Sequence, residues 1–346
     1  MEGKRAWLAV LAVMGVVALS CVVLSTRSVP SAALSAFEVE EANFRAFMVK
    51  HGKTYSAAEF PKRFQAYRDN LAFARQFNLQ TSGVVLGATP YADMTHEEFA
   101  SIYLGGYVPR TERNVRHFPV KDIATSVDWV TAGAVTPVKN QGQCGSCWTF
   151  STTGSIEGAH YLQTKDLVSF SEQQIVDCAT GSAYPDCDGC NGGTMDEAFQ
   201  YVINTKGLET EADYPYTAKD GKCSADSSEF AGTISGFQDV QSANETALMY
   251  AVAQQPVSVA VDANSVWQLY NSGVITKHCS ATIDTLDHGV LAVGYGVDTQ
   301  GASYWLVKNS WGASWGEDGY IRLARNLTST NGGMCGIALD ASYPIA

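Results

Sequence analysis

The stretch Gln141-Gly-Gln-Cys144-Gly-Ser-Cys147-Trp148-Thr-Phe150 decides the reading of this 346-residue chain. Cys147 opens a predicted helix, and the unpaired N–H groups and dipole of a helix N-terminus stabilise a thiolate. The thiolate is the useful nucleophile. It needs a partner that forms an ion pair and later protonates a leaving amine, which is the work of histidine at ordinary pH. A developing oxyanion needs donors as well. Gln141, six residues before Cys147, is placed to offer its side-chain NH₂ beside the Cys147 backbone N–H.

Downstream, His288 lies in Leu286-Asp-His-Gly-Val-Leu-Ala-Val-Gly-Tyr-Gly296, 141 residues after Cys147. Asn309 lies in Lys308-Asn-Ser-Trp-Gly312, 162 residues after it. Cys-Gly-[Ser/Ala]-Cys-[Trp/Tyr], with His and Asn about 130–150 residues further on, is a recognised protease signature. Residues 144–148 match it fully, and the Asn-Ser-Trp-Gly context carries Asn309, whose spacing runs slightly long. The chain therefore resembles the papain-family cysteine proteases of the cathepsin L-like group. That resemblance implies Cys147 as nucleophile, His288 as general base and acid, Asn309 as the residue orienting the imidazole, and Gln141 as oxyanion donor. It implies that Trp311 shields the Asn309–His288 hydrogen bond from water. No cofactor and no metal are called for. The fold it implies is α+β: a helical N-terminal subdomain facing a β-barrel-like C-terminal one, behind a helical inhibitory propeptide.

The pattern of elements agrees with that expectation. Helix starts are predicted at Ser56-x-x-Glu59, Thr95-x-x-Glu98, Ser171-x-x-Gln174, Thr194-x-x-Glu197 (ending near Gly207) and Ser242-x-x-Glu245. The apolar runs Val257–Val261, Val290–Val293, Tyr304–Val307 and Tyr320–Leu323 read as strands. Helices first and strands later suggest α+β.

The front third carries its own motifs. Phe60, Phe64, Tyr67, Leu71 and Ala74 recur at helical steps to about Asn78. Glu59-x₃-Arg63-x₃-Tyr67-x₂-Asn70-x₃-Ala74-x₃-Asn78 resembles the interspersed motif of cathepsin L-like propeptides, with Tyr67 and Ala74 in place of the commoner residues. Gly87-x-Thr89-x-Tyr91-x-Asp93 resembles their second motif. Residues 107–122 hold Pro109, Pro119 and several basic residues without apolar periodicity, and read as an exposed, cleavable linker. Aligned on Val127-Asp-Trp129, the mature chain should begin near Ile123. The expected division is 1–35 signal or anchor, 36–122 propeptide, 123–346 peptidase domain.

Charge follows the same division. The net charge is −12. Residues 1–122 hold 14 Lys and Arg against 11 Asp and Glu, whereas residues 123–346 hold 9 against 24. The acidic total argues against a nucleic-acid partner. A basic segment on an acidic enzyme is electrostatically attracted to it. Acidification is expected to protonate carboxylates at that contact and release the block.

Lys4 and Arg5 precede an apolar run of 19 residues, Ala6–Leu24, and then Ser31-Ala-Ala33. This is a cleaved secretory signal or, at that length, an uncleaved signal-anchor. Either reading directs the rest of the chain to the secretory route: lysosome, another acidic endomembrane compartment, or the outside. Cysteines tend to pair there. Asn244 and Asn326 lie in sequons and are candidate glycan carriers. Cys144-x-x-Cys147 with Cys187-x-x-Cys190 leaves open a zinc-stabilised or disulfide-stabilised binding module without catalysis, and Cys144-x-x-Cys147 alone a thioredoxin-like motif. The 39-residue gap is too long for the usual zinc spacing, and no βαβ pattern flanks the motif.

The resemblance implies the pairings Cys144–Cys190, Cys178–Cys223 and Cys279–Cys335. Cys187 is then a free thiol, an alternative partner for Cys144, or an intermolecular link. It also implies that Gly192 and Gly193 pair with an extended substrate backbone. Met195, Ala260, Leu286 and Gly289 map onto the walls of the pocket for the second residue before the scissile bond, and Asp340 onto its floor. An acid there would admit Arg or Lys as well as Leu or Phe; the other reading of Asp340 is a solvated surface carboxylate. No paired His segment lies between Cys178 and Asn191, so an endopeptidase is expected rather than a carboxy-dipeptidase. Partners implied are protein or peptide substrates, the chain's own propeptide, and cystatin-type inhibitors.

Overall fold

A computed structural model of the chain describes residues 35–107, 115, 123–279, 282–326 and 332–346. The apolar run 6–24 and most of the linker lie outside the described residues. Among the described residues no helix is long and apolar enough to cross a membrane.

The front part comprises α1 (Ala36–Lys50), α2 (Phe60–Gln80), β1 (Val84–Leu86) and α3 (His96–Tyr103). Its core is aromatic: Phe44 is fully buried against the rings of Phe47, Tyr55, Phe60, Phe64 and Tyr67. The Thr95–Glu98 capping box forms as expected. The Ser56–Glu59 box also forms, but it closes a turn ahead of α2, which begins at Phe60 with Pro61 in its first turn. Proline is preset for that place, having no N–H to satisfy.

The interspersed motif has a plain physical meaning. Asn70 Nδ2 donates to the carbonyls of Ala92 and Met94, and Asn78 pairs with both main-chain groups of Leu86. One face of α2 thus pins the chain that returns beside it. The second motif docks that returning chain on the rest of the molecule. Gly87 N–H donates to Leu269 O, Thr89 Oγ1 to Gln268 O, and Tyr91 Oη to Trp311 O.

The remaining elements are β2 (Val127–Asp128), α4 (Cys147–Thr164), α5 (Glu172–Cys178), α6 (Met195–Thr205), β3 (Gly236–Asp239), α7 (Glu245–Val252), β4 (Val257–Val261), α8 (Ser265–Gln268), β5 (Tyr270–Ile275), β6 (His288–Val297), β7 (Ser303–Lys308), β8 (Tyr320–Ala324) and β9 (Ala341–Ile345). The strands hydrogen-bond in the order β1-β5-β8-β7-β6-β4-β9-β3, with β2 on β6. Among these strand pairs of the described residues, only β5–β8 is parallel. Helices α4–α6 close over Ile156, Ile175, Phe199 and Val202, whereas the strands bury Val259, Trp305, Ile321 and Leu323. This is the α+β arrangement expected, with one addition: β1 of the front part extends the sheet through β5.

α6 ends near Gly207 as expected, with Lys206 in the left-handed conformation (φ 67°) at its C-cap. Two local expectations need correction. α7 is capped by Asn244, whose Oδ1 accepts from Ala247 N–H; Ala243, at φ 56°, turns Ser242 away to donate to Leu339 O. Tyr107, read as the start of an exposed linker, is buried.

Candidate active site

Cys147 is the first residue of α4 and His288 the first of β6, while Asn309 follows the last residue of β7. The β4–β6 register sets His288 opposite Val261 and Gly289 opposite Ala260, and antiparallel β6–β7 pairing brings the end of β7 beside the start of β6. Residues 141 and 162 positions after the cysteine thus meet each other, and the residue after the first of them, Gly289, meets its sulfur. His288 Nε2 lies 2.8 Å from Asn309 Oδ1. That carbonyl oxygen can only accept, so Nε2 carries the proton, leaving Nδ1 as the basic nitrogen of the neutral ring. Asn309 Oδ1 also accepts from Ser310 N–H at 2.8 Å. Trp311 stacks on the His288 ring with centroids 4.7 Å apart, covering this hydrogen bond.

The Cys147 sulfur accepts from Gly289 N–H at 3.3 Å. Burial pushes its thiol up to about 12 against the pull of Gly289 and of the first N–H groups of α4. Burial likewise lowers His288 to about 4, opposed by the Asn309 bond. Asp287, beside His288 and itself raised to about 7 by burial, adds to the upward push on the thiol. Both shifts favour the neutral pair, thiol and imidazole, over thiolate and imidazolium.

Gln141 is fully buried. Its Nε2 donates to Cys144 O at 3.0 Å and its Oε1 accepts from Ser310 Oγ at 2.7 Å. The carbonyl of Cys144 can only accept, which fixes the amide's orientation; one of its two hydrogens is directed there, and the other is available to an oxyanion.

What covers the site is the chain's own residues 105–107. Gly105 N–H donates to Asp287 O, and Gly193 N–H donates to Gly106 O at 2.8 Å. Tyr107 and Gly193 bridge in parallel. The passage is narrow: a Cβ on Gly106 would stand 2.5 Å from Gly145 O, and one on Gly192 2.7 Å from Gly106 O. Tyr107 enters an apolar cluster with Trp148, Met195, Ala260 and Leu286, and its hydroxyl donates to Asp340. Gly289 abuts the same cluster, since a Cβ there would meet Met195 Sδ at 3.3 Å. Asp340 is buried, 6% exposed, rather than solvated.

The disulfides join Cys144–Cys190, Cys178–Cys223 and Cys279–Cys335. Cys147 and Cys187 are free and buried. Cys187 Sγ faces Thr194 O. With Cys144 bonded to Cys190, the four-thiolate set that a zinc module requires is broken up.

Several participants escaped the sequence. Lys139 Nζ pairs with Glu157 (2.9 Å) and Glu172 (2.6 Å), and Lys308 Nζ donates to Thr136, which donates to Glu157. This buried network ties α4 and α5 to the residue preceding Asn309. Ser310 touches both Gln141 and Asn309. In a sequence, acids at helix starts and serines in turns read as solvated surface, and only their burial marks them here.

Comparison with known proteins agrees with the site. The model of the papain family of cysteine proteases matches residues 123–345, and that of the cathepsin propeptide inhibitor domain matches residues 44–99. A senescence-specific cysteine protease of rice, Oryza sativa subsp. japonica, is 42% identical over 97% of this chain and 97% of its own. A probable cysteine protease of Arabidopsis thaliana is 46% identical over 87% of this chain and 66% of its own. Among solved structures, a recombinant stem bromelain precursor superimposes with a TM-score of 0.81 at 40% identity, covering 89% of this chain and 99% of its own. A digestive procathepsin L of Tenebrio molitor larval midgut gives 0.80 at 40% identity over 89% and 99%. The chain belongs to the papain family of cysteine proteases and carries that family's inhibitory propeptide, so it is a protease zymogen.

Proposed function

We propose that Cys147, His288, Asn309 and Gln141 carry out the hydrolysis once the propeptide has left. With the site open to water, the thiol passes its proton to His288 Nδ1. The thiolate then attacks the scissile carbonyl carbon, and the C=O π pair moves to oxygen, where Gln141 Nε2–H and Cys147 N–H receive it. The intermediate collapses as His288 gives its proton to the departing amine, leaving a thioester. His288 then takes a proton from water, and hydroxide attack releases the acid and restores the thiol. Asn309 holds the imidazole and Trp311 keeps water from their bond. One observation supports this reading: the buried sulfur at the start of α4 accepts from the N–H of Gly289, the residue next to His288, whose ring is paired to Asn309. An epoxide thiol-protease inhibitor should label the processed enzyme at Cys147 alone and fail on Cys147→Ser. Labelling at Cys187 would overturn the assignment.

The finer reading extends to boundaries and specificity. Residues 1–35 serve as signal or anchor, 36–122 as propeptide and 123–346 as the peptidase, within an acidic compartment of the secretory route or outside the cell. Gly192 and Gly193 pair with the substrate backbone, and the Met195, Ala260, Leu286, Gly289 and Asp340 pocket takes its second residue before the scissile bond. Asp340, with an apolar wall around it, favours Arg or Lys there beside Leu or Phe, since a desolvated carboxylate gains from a cation. Asp340→Ala should lower kcat/KM on Arg-bearing peptides about tenfold or more while sparing Leu-bearing ones; a uniform loss refutes the pocket assignment. Cystatin-type inhibitors would enter the same cleft.

Release is proposed to follow acidification. Carboxylates at the contact would be protonated, and pairs inside the propeptide, such as Glu98 with Lys62 and Arg63, would weaken with them. Equal processing of the precursor at pH 4.5 and 7.5 would rule this out.

A further inference from the structure

Gln141 is held at more points than a side chain whose job is only to fill space. Its N–H donates to Ser310 O at 2.8 Å, its Oε1 accepts from Ser310 Oγ, and its own carbonyl accepts from Tyr216 Oη at 2.7 Å. Tyr216 comes from the loop after α6, 75 residues from Gln141 in sequence. That loop is itself tied down. Tyr216 N–H donates to Glu211 Oε1, Thr217 donates through N–H and hydroxyl to Gln173 Oε1, and the Tyr216 ring meets Phe150 of α4 edge-on at 4.9 Å.

The second partner of the Tyr216 hydroxyl is Ser146 Oγ, 2.6 Å away. Ser146 is fully buried and is the N-cap of the helix that Cys147 starts, yet its side chain makes no capping bond. A serine in that place ordinarily turns its oxygen onto the helix's first N–H groups. Proton counting gives the direction of the chain. Gln141 O can only accept, so the single Tyr216 proton goes to it; Ser146 must then donate to Tyr216. Burial raises the Tyr216 phenol above its ordinary value, so that proton is kept. The result is a relay, Ser146 to Tyr216 to Gln141, that bolts the residue before the nucleophile to the main chain of the oxyanion donor.

We propose that Tyr216, acting with Ser146 and Ser310, is a positioning residue for the oxyanion hole: it fixes the spacing between the Gln141 side-chain amide and the Cys147 N–H. This rests on the reading of Gln141 and Cys147 as the oxyanion donors. Such donors work only when both lie about 2.7–3.1 Å from the oxygen, and misplacement by about 1 Å costs on the order of a hundredfold. Tyr216→Phe keeps the ring against Phe150 and removes only the relay.

The test uses the processed enzyme and two reactions that differ in one respect. A peptide aldehyde adds the Cys147 sulfur to its carbonyl carbon and leaves the former π pair as an oxygen held in the hole. Iodoacetamide alkylates the same sulfur with loss of iodide and forms no oxyanion. Tyr216→Phe should lower kcat on a peptide amide about tenfold with KM within about twofold. It should weaken aldehyde inhibition by the same factor and leave the alkylation rate and its pH profile unchanged. Ser146→Ala, which cuts the relay at its other end, should show the same pattern at about three- to fivefold, and stands in if Tyr216→Phe does not fold. Gln141→Ala separates the two levels, with an expected loss on the order of a hundredfold or more in kcat and aldehyde affinity. Should Gln141→Ala change neither, the underlying assignment fails and the proposal with it. Should Gln141→Ala act as expected while Tyr216→Phe and Ser146→Ala leave kcat alone, or slow alkylation as much as hydrolysis, the positioning role is overturned.

Discussion

The propeptide meets the enzyme in two regions that work by different means. Residues 36–104 form a small globule that seats on the far side of the site. There Tyr91, Phe99 and Tyr103 surround Trp311, and β1 hydrogen-bonds to the edge of β5. Residues 105–107 are a bare strand lying in the cleft, tied by main-chain bonds at Asp287 and Gly193 and by one side chain, Tyr107, on Asp340. The globule buries several aromatic rings, each worth kilocalories, whereas the strand buries one. Holding and blocking are thus divided between them. The globule supplies affinity, and the strand supplies occlusion that no loose peptide of three residues would maintain alone.

If that division holds, the largest effect comes from the globule's seat. Phe99 is fully buried between Tyr91, Tyr103 and the face of Trp311. Phe99→Ala should cost about 3–5 kcal/mol, of which a substantial share weakens seating. The initial rate of Cys147 alkylation by iodoacetamide in the full-length chain at pH 7.5 should rise on the order of a hundredfold. A rate within twofold of the parent would mean that the strand, not the globule, does the holding.

Next in size is the strand. Gly106→Ala places a methyl 2.5 Å from Gly145 O, so residues 105–107 must lift. Overpacking of this kind costs about 1–3 kcal/mol, and Cys147 alkylation should quicken about tenfold. The propeptide's own thermal transition, followed in a Cys147→Ala background, should stay where it was. If that transition drops as far as it does in Phe99→Ala, the two regions are one cooperative unit and the comparison collapses.

The same contrast shows which parts of this molecule are legible in its sequence. The segment 141–150 and the strand runs of the second half read correctly because each is decided locally, by a helix start or by an apolar run between glycines. Tyr107 did not, because its burial depends on a cluster that includes Trp148, Met195, Ala260 and Leu286, none of which is near it in the chain. Strand β1 was invisible for a related reason: three residues carry no periodicity, and only the edge of β5 gives them a ladder to join. Ser242 fits the capping-box spacing as well as Ser171 does, and the left-handed turn at Ala243 alone passes the cap to Asn244. At the candidate active site, Cys147, His288 and Asn309 are findable because each sits in a distinctive local motif. Ser146, Tyr216 and Ser310 are common turn residues whose importance appears only in who donates to whom.

The smallest expected effect concerns pH and lies inside the globule. Glu98 is held below the usual carboxylate range, first by the hydrogen bond from Lys62 and further by its Thr95 cap and by Arg63. A carboxyl whose folded pKa is lowered stabilises the fold above its ordinary value, and that contribution is lost as pH falls through the lowered one. Glu98→Gln keeps the capping box with Thr95, because Gln serves at that position, and removes only the charge. Exposed pairs are worth about 0.2–1 kcal/mol. In the Cys147→Ala background the propeptide's transition should therefore drop by about 1–4 °C at pH 7. At pH 3 the parent should have lost most of the same advantage, and the gap should narrow to under about 1 °C. A gap that stays constant down to pH 3 would show that Glu98 acts through packing, and would remove it from any account of release by acid.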